Sequence, residues 1–234
     1  MKNTPVHLYH IFISSYKSQH WWPMDISYHT QHRTDPRFEV IIGAILTQNT
    51  AWSNVEKAIH NLKQANMLHI SAIVHCDLET LKQCIKPSGF FNQKAKRLQT
   101  MALYLQDQYQ SDLSTFFQQP LKHLRSELLR LNGIGPETAD SILLYAGDKP
   151  IFVVDAYSKR LFGRLELPTK LTYDAIQAYV ESDFCKNISA EQLPQMYNEF
   201  HALIVEHAKR YCRKKPLCND CILNKECPHP NTLE

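Results

Sequence analysis

Apolar residues recur at helical spacing through most of the 234-residue chain, and the interruptions between these runs carry most of its polar chemistry. Leu8, Ile11 and Phe12 place one face of a first helix within residues 5–18. Pro36 to Leu46 predicts a second, strongly apolar helix. It stops at the polar cluster Thr47-Gln48-Asn49-Thr50, after which Ala51-Trp52 opens a helix through Val55, Ala58, Ile59 and Leu62. Further helices are expected near 77–86 and 92–109, on either side of Pro87-Ser88-Gly89-Phe90-Phe91, and over 172–182 and about 190–210. Residues 24–36 are polar and read as an irregular connection. With no long alternating run and only 6 glycines, the pattern predicts an all-α fold.

One stretch is more specific. Leu121, Leu124, Leu128, Leu129 and Leu131 follow helical spacing until Gly133-Ile134-Gly135 breaks it, and Pro136 restarts a helix through Ala139, Ile142, Leu143 and Ala146. Glycines at a tight hairpin accept positive φ, and proline suits the first helical turn, where its missing N–H costs nothing. The hairpin therefore offers unpaired backbone N–H groups, which suit a phosphate oxygen whatever the base sequence. Nineteen residues beyond Pro136, Asp155 follows the apolar Val153-Val154 and stands at the start of a helix holding Tyr157, Arg160 and Leu161. Its plain reading is an N-cap.

Composition adds bounds. With 44% hydrophobic and 21% charged residues the chain can bury a core, and a net charge of +3 tolerates a polyanion without identifying one. No apolar run approaches the roughly 20 residues of a membrane span, and the N-terminus lacks a signal-peptide pattern, so an intracellular (cytoplasmic, nucleoid-associated) location is expected. Of 7 cysteines, Cys212, Cys218, Cys221 and Cys227 crowd into C-x5-C-x2-C-x5-C, which points to metal ligation, with zinc and iron–sulfur both open. Cys76, Cys84 and Cys185 read as small buried residues. Gln48 and Asn49 can simply cap their turn, and Trp21 and Trp22, next to Pro23, can simply anchor a core.

Leu131 to Asp155 resembles the helix-hairpin-helix, Gly/Pro-rich loop and aspartate signature of the endonuclease III superfamily of DNA base-excision glycosylases. In that family the hairpin, here Gly133, Ile134 and Gly135, grips the DNA backbone, and the aspartate, here Asp155, drives cleavage of the N-glycosidic bond. Phe38 to Thr50 is similar to the family's helix-turn, which implies that Gln48, with Asn49 beside it, lies at the groove and helps fill the gap left by a flipped nucleotide. Gly89 to Ala95 is similar to a turn whose lysine sits near DNA. Lys94, Lys96 and Arg97 then either meet phosphate or form a solvated helix face. The cysteine spacing resembles the family's C-x6-C-x2-C-x5-C loop, one residue shorter in its first gap. It implies a structural [4Fe–4S] cluster on Cys212, Cys218, Cys221 and Cys227, with Arg213, Lys214 and Lys215 contacting DNA. The resemblance also implies a two-domain helical glycosylase fold, with a six-helix barrel over 31–147 that includes the hairpin motif 121–146. Residues 1–30 and 148–234 form the other domain, which carries the loop 212–227, and the cleft between the domains holds Asp155, Gln48 and the tryptophans. Double-stranded DNA with a damaged base is the expected partner, and the protein is expected to be a monomer.

Strand-cleaving members carry a lysine in G-x-G-x-K-T-A, and the chain has Glu137 there. Without that amine no Schiff base forms with the sugar, so hydrolysis by a monofunctional enzyme is expected. Adenine-excising mismatch enzymes usually keep a small residue at this position and a long C-terminal recognition domain. The 3-methyladenine glycosylases of the endonuclease III type look closer, through W-W-P, L-T-Q-N-T before Trp52, G-I-G-x-E-[ST]-A-D and V-V-D-x-Y-S. This implies that Trp21, Trp22, Pro23 and Trp52 line the base pocket, with Lys209 near its floor, the tryptophans being a stacking wall for a cationic purine. Well-known members of that group lack the cysteine loop. An oxidised-pyrimidine or mismatch glycosylase, and a non-catalytic DNA-binding iron–sulfur protein, are the competing readings.

Overall fold

The computed structural model describes residues 4–229. Among these no β-strand forms, and no helix is long and apolar enough to cross a membrane. The α-helices are α1 Pro5–Tyr16, α2 Ile26–His32, α3 Pro36–Leu46, α4 Trp52–Gln64, α5 Ile70–His75, α6 Leu78–Ile85, α7 Phe91–Tyr109, α8 Leu113–Gln118, α9 Leu121–Arg130, α10 Pro136–Ser141, α11 Ala156–Arg164, α12 Tyr173–Asn187 and α13 Leu193–Arg210. They fall into two compact units: the described residues up to Trp21 with those from Pro150 on, and Trp22–Lys149.

The Trp22–Lys149 unit is built on α3. Val40, Ile41, Ile42, Ile45 and Leu46 are all essentially inaccessible, together spanning every face of the helix. A helix that is apolar all round has to be wrapped by its neighbours. Helices α4, α7 and α10, and a π-helical turn at Ile142–Ala146, do the wrapping. The exception in α3 is Glu39, only 3% exposed, and its carboxylate is satisfied from both sides. His29 Nε2 lies 2.7 Å from one oxygen and Lys63 Nζ 3.1 Å from the other.

That demand explains why residues 24–36, expected to be irregular, contain α2. Seven residues do not hold a helix by themselves. Asp25 caps the start through Tyr28 N at 3.0 Å, and burial of His29 between Glu39 and Thr34 fixes the rest. The short helices α5 and α8 likewise lack a periodicity long enough to read; they bury Ile70 and Ile73, and Leu113, Phe116 and Phe117.

In the other unit α13 packs against α1 and α11. Phe12, Phe152, Phe184, Tyr197 and Phe200 fill its core with tilted and edge-on ring pairs. The cysteines outside the C-terminal loop do not match their expected burial: Cys185 is exposed, and Cys76 and Cys84 are half-buried. Cys76 stands in extended backbone between α5 and α6, outside any apolar stripe.

Within the hairpin motif, the Arg125 guanidinium of α9 takes the fully buried Asp140 carboxylate of α10 through bonds of 2.7 and 3.1 Å. Removing one partner of such a pair leaves a buried charge uncompensated. Arg125→Met should therefore destabilise the protein by about 3 kcal/mol in urea unfolding, whereas changes at the exposed Lys122 should cost less than about 0.5 kcal/mol.

Candidate active site and cysteine loop

Val153 and Val154 are buried in extended backbone and deliver Asp155 to the start of α11. Its Oδ1 accepts Ser158 N at 2.7 Å and Ser158 Oγ at 2.9 Å, the expected N-cap. Its other oxygen, Oδ2, lies 3.5 Å from His201 Nε2. Burial alone would push this carboxyl up, but the nearby His201, with the two bonds from Ser158, outweighs it and holds Asp155 below the usual carboxylate range. Asp155 is thus a persistent anion and a weak base.

His201 was not apparent from the sequence. It occupies the buried register of α13 that also holds Tyr197, Ile204 and Ala208, and Trp21 meets its ring edge-on at 5.9 Å. A titratable residue standing at a core register was the available signal. Lys209 is exposed in the last turn of the same helix, eight residues or about 12 Å along the axis from His201.

In the other unit Trp22 is met edge-on by Trp52 at 5.1 Å and by a tilted Tyr145 at 5.2 Å. Tyr145 comes from the π-helical turn, and Trp22 lies directly on Gly43 of α3, where a Cβ would sit 2.9 Å from the indole. Pro23 is exposed.

Gly133 takes φ +83°, the left-handed value that the hairpin requires, and Ile134 is buried beneath it. Gly135 is exposed, with open space where its Cβ would be. Gln48, just past α3, docks on this hairpin: its Nε2 donates to Gly133 O at 2.9 Å and to Thr138 Oγ1 at 2.8 Å, and its Oε1 accepts from Arg97. Asn49 is exposed at the tip of the same turn with φ 55°. The sequence reading gave no role to Phe90, which is 64% exposed and held at φ 46° immediately before α7. An aromatic beside Gly89 in a turn without apolar periodicity was its signal.

The paired readings of Lys94, Lys96 and Arg97 resolve differently for each. Lys94 is neither at a phosphate nor on a solvated face. It is buried, and its Nζ donates to Leu46 O at 2.8 Å and Ser88 O at 2.7 Å, with burial first and Arg97 second pulling it down to about 8. The carbonyl end of α3 attracts the cation. Lys96 is exposed, and Arg97 is half-buried against Gly133.

Cys212, Cys218, Cys221 and Cys227 line one small cavity at the end of α13, beside Arg164 and His207. Arg164 Nη1 donates to Cys212 Sγ at 3.2 Å, Leu223 N to Cys221 Sγ at 3.4 Å, and His207 Nε2 lies 3.8 Å from Cys221 Sγ. Burial, with the three other sulfurs nearby, pushes the Cys221 thiol up to about 11. Among the described residues no three His, Cys, Asp or Glu side chains close on a point as a single metal ion needs. Arg213, Lys214 and Lys215 are exposed on the same loop.

Residues 42–184 match the family model described as HhH-GPD superfamily base excision DNA repair protein. The chain belongs to this family. The match takes in Gln48, the hairpin and Asp155, and leaves the cysteine loop outside. A "putative DNA repair glycosylase" of Methanocaldococcus jannaschii is 43% identical over 228 residues, 94% of each chain. The structure of the H. pylori 3-methyladenine DNA glycosylase MagIII bound to 1,N6-ethenoadenine is similar at 30% identity and TM-score 0.71, covering 89% of this chain and 98% of that one. A trapped endonuclease III–DNA covalent intermediate shares the fold at 19% identity and TM-score 0.68, with 99% of both chains covered.

A depressed carboxyl contributes stability above its unfolded value of about 3.9 and loses it as pH falls through the folded value. His201→Leu removes the interaction that outweighs burial at Asp155. Wild type should therefore melt above this variant at neutral pH, with the difference shrinking once the carboxyl titrates. Melts across about pH 3 to 7 check this; a gap that does not change with pH would show that His201 acts only by packing.

Proposed function

We propose that this DNA glycosylase hydrolyses the N-glycosidic bond of alkylated purines such as 3-methyladenine in duplex DNA and leaves the strand intact. The observation that carries the reading is a pairing within the family framework. Asp155 is a carboxylate held ionised, and Glu137 stands exposed where strand-cleaving relatives keep a lysine. A carboxylate supports positive charge building on the sugar as the base leaves, and its depressed pKa favours that role, or orientation of a water, over proton abstraction. With no amine at residue 137, no Schiff base forms and no β-elimination follows.

The substrate class rests on the likeness to the H. pylori enzyme and on the aromatic residues. Trp22 and Trp52, with Trp21 by extension, offer π faces, and a methylated purine is a cation that such faces attract. Duplex DNA is held by the backbone amides around Gly133, Ile134 and Gly135 and by Lys214 and Lys215. Gln48 is tied to the hairpin in the free protein, whereas Asn49 and Phe90 are exposed. An exposed aromatic held at a turn suits wedging between bases. We assign Cys212, Cys218, Cys221 and Cys227 to a [4Fe–4S] cluster that holds the C-terminal loop in shape.

Incubation with methylated duplex DNA tests the reading. Free 3-methyladenine should appear, with strand breaks only after alkali. Asp155→Asn should slow release at least about a hundredfold while DNA affinity is kept. Phe90→Ala should weaken binding to a duplex bearing an abasic analogue by about tenfold. Breaks before alkali on oxidised pyrimidines would instead favour an endonuclease III-like activity, and binding without base release from any lesion a pure binder. Purified protein should carry about four iron and four sulfide per chain, and Cys218→Ser should lose both with a lowered melting temperature.

A further inference from the structure

Gln48 and the hairpin are far apart in sequence; the Gln48 amide bonds the hairpin directly, and one guanidinium braces both. Gln48 spends both N–H donors of its amide on Gly133 O and Thr138 Oγ1, and Arg97 takes its oxygen. The same Arg97 lies across the hairpin glycine. A Cβ on Gly133 would fall 2.1 Å from Arg97 Nε and 2.6 Å from its Cδ, so the arginine fits only because residue 133 is glycine. Its remaining contact, Nη2 to Gln93 Oε1 at 3.5 Å, reaches back one turn along α7. Below it, Lys94 ties α7 to the carbonyl end of α3 at Leu46, two residues before Gln48.

We propose that Arg97 is a positioning residue that makes the Gln48 turn and the hairpin one rigid body, so that a phosphate gripped by the hairpin fixes the register of the side chains entering the duplex. The inference rests on the DNA-glycosylase reading. The amide orientation follows from the network: only an oxygen facing Arg97 leaves the –NH2 for the two acceptors on the hairpin. Lysine cannot substitute, because a single ammonium lacks the planar fork that lies flat over Gly133 while bonding Gln48. With its guanidinium committed to protein partners, Arg97 is a coupler and not itself a phosphate ligand.

The test compares Arg97→Met, Gln48→Met and the double variant, all of which keep the apolar stem and should retain a wild-type fold. In the DNA-free protein, exchange of the hairpin's Ile134 amide, which donates to Leu131 O, should quicken in each single variant, and the double variant should be no faster than either single one. On a duplex carrying an abasic analogue, each single variant should lose about tenfold in affinity, again without additivity, and Arg97→Lys should not restore it. The dependence of log Kobs on log salt should keep its wild-type slope. At saturating protein, 2-aminopurine beside the analogue should brighten less than with wild type, reporting a misplaced wedge. Unchanged exchange at the hairpin, or additive losses, would overturn the coupling. A salt slope smaller by about one in Arg97→Met would make Arg97 a direct phosphate contact. The exchange result needs no DNA, so it decides the coupling even if wild type binds no duplex, an outcome that would count against the proposed function instead.

Discussion

A helix with no polar face has to be buried on every side, and α3 imposes that constraint on the Trp22–Lys149 unit. Its buried glutamate requires partners for both oxygens, which recruits the His29 ring and with it the short helix α2, as well as the Lys63 ammonium. Its glycine at 43 accepts the Trp22 indole, where any side chain would displace it. Its carbonyl end attracts Lys94, a lysine buried only because two carbonyls receive its protons. A buried ammonium costs several kcal/mol without partners, so these bonds and the helix dipole have to be in place for α7 to dock at all. The Gln48 turn is where α3 runs out of apolar sequence, and its position follows from the packing of the helix behind it.

The unit carrying Asp155 solves a different problem, keeping a carboxylate ionised where burial opposes ionisation. The N-cap bonds from Ser158 use one oxygen, and His201 faces the other. The cap is a structural device in any helix. Here it also fixes the direction of the carboxylate, so that a single aspartate both begins α11 and presents a permanent negative charge. His201 has to come from another helix, because nothing within α11 reaches the second oxygen. This makes the docking of α13, with its aromatic core of Phe200, Tyr197 and Phe152, a condition for the electrostatics at Asp155.

The long helices were legible because each carries its own apolar period: α3, α4, α7, α9 and α13 begin and end within a few residues of where the pattern places them. The hairpin was legible because glycine and proline specify backbone geometry directly. Helix α2 was not, since it is short and mostly polar, and what buries its His29 includes Glu39 ten positions away. Lys94 was misread because a basic residue in a basic stretch reads as surface, and only the tertiary fold reveals the carbonyls that bury it. His201 escaped because a histidine among apolar neighbours shows its burial but not what it faces. The cysteine cluster is visible as a spacing and again as a shared cavity, and neither the spacing nor the cavity's lining specifies the metal group it holds.

In the proposed reaction, charge moves from one place to another without being created. A methylated purine enters as a cation, and an aromatic face favours it for that reason. As the glycosidic bond stretches, the positive charge leaves the ring for the sugar, and attraction by the π face fades. Tryptophan stacking therefore stabilises the ground state more than the transition state, so it selects the lesion without accelerating its loss. Acceleration falls to the group that gains as the sugar becomes positive, a carboxylate already ionised and already oriented. A strongly basic aspartate would gain little here, because no proton has to be removed from a substrate whose leaving group departs neutral. The low pKa of Asp155 and the cationic substrate class are thus consistent requirements of one mechanism, and neutral lesions, which need an acid to leave, should be its poorer substrates.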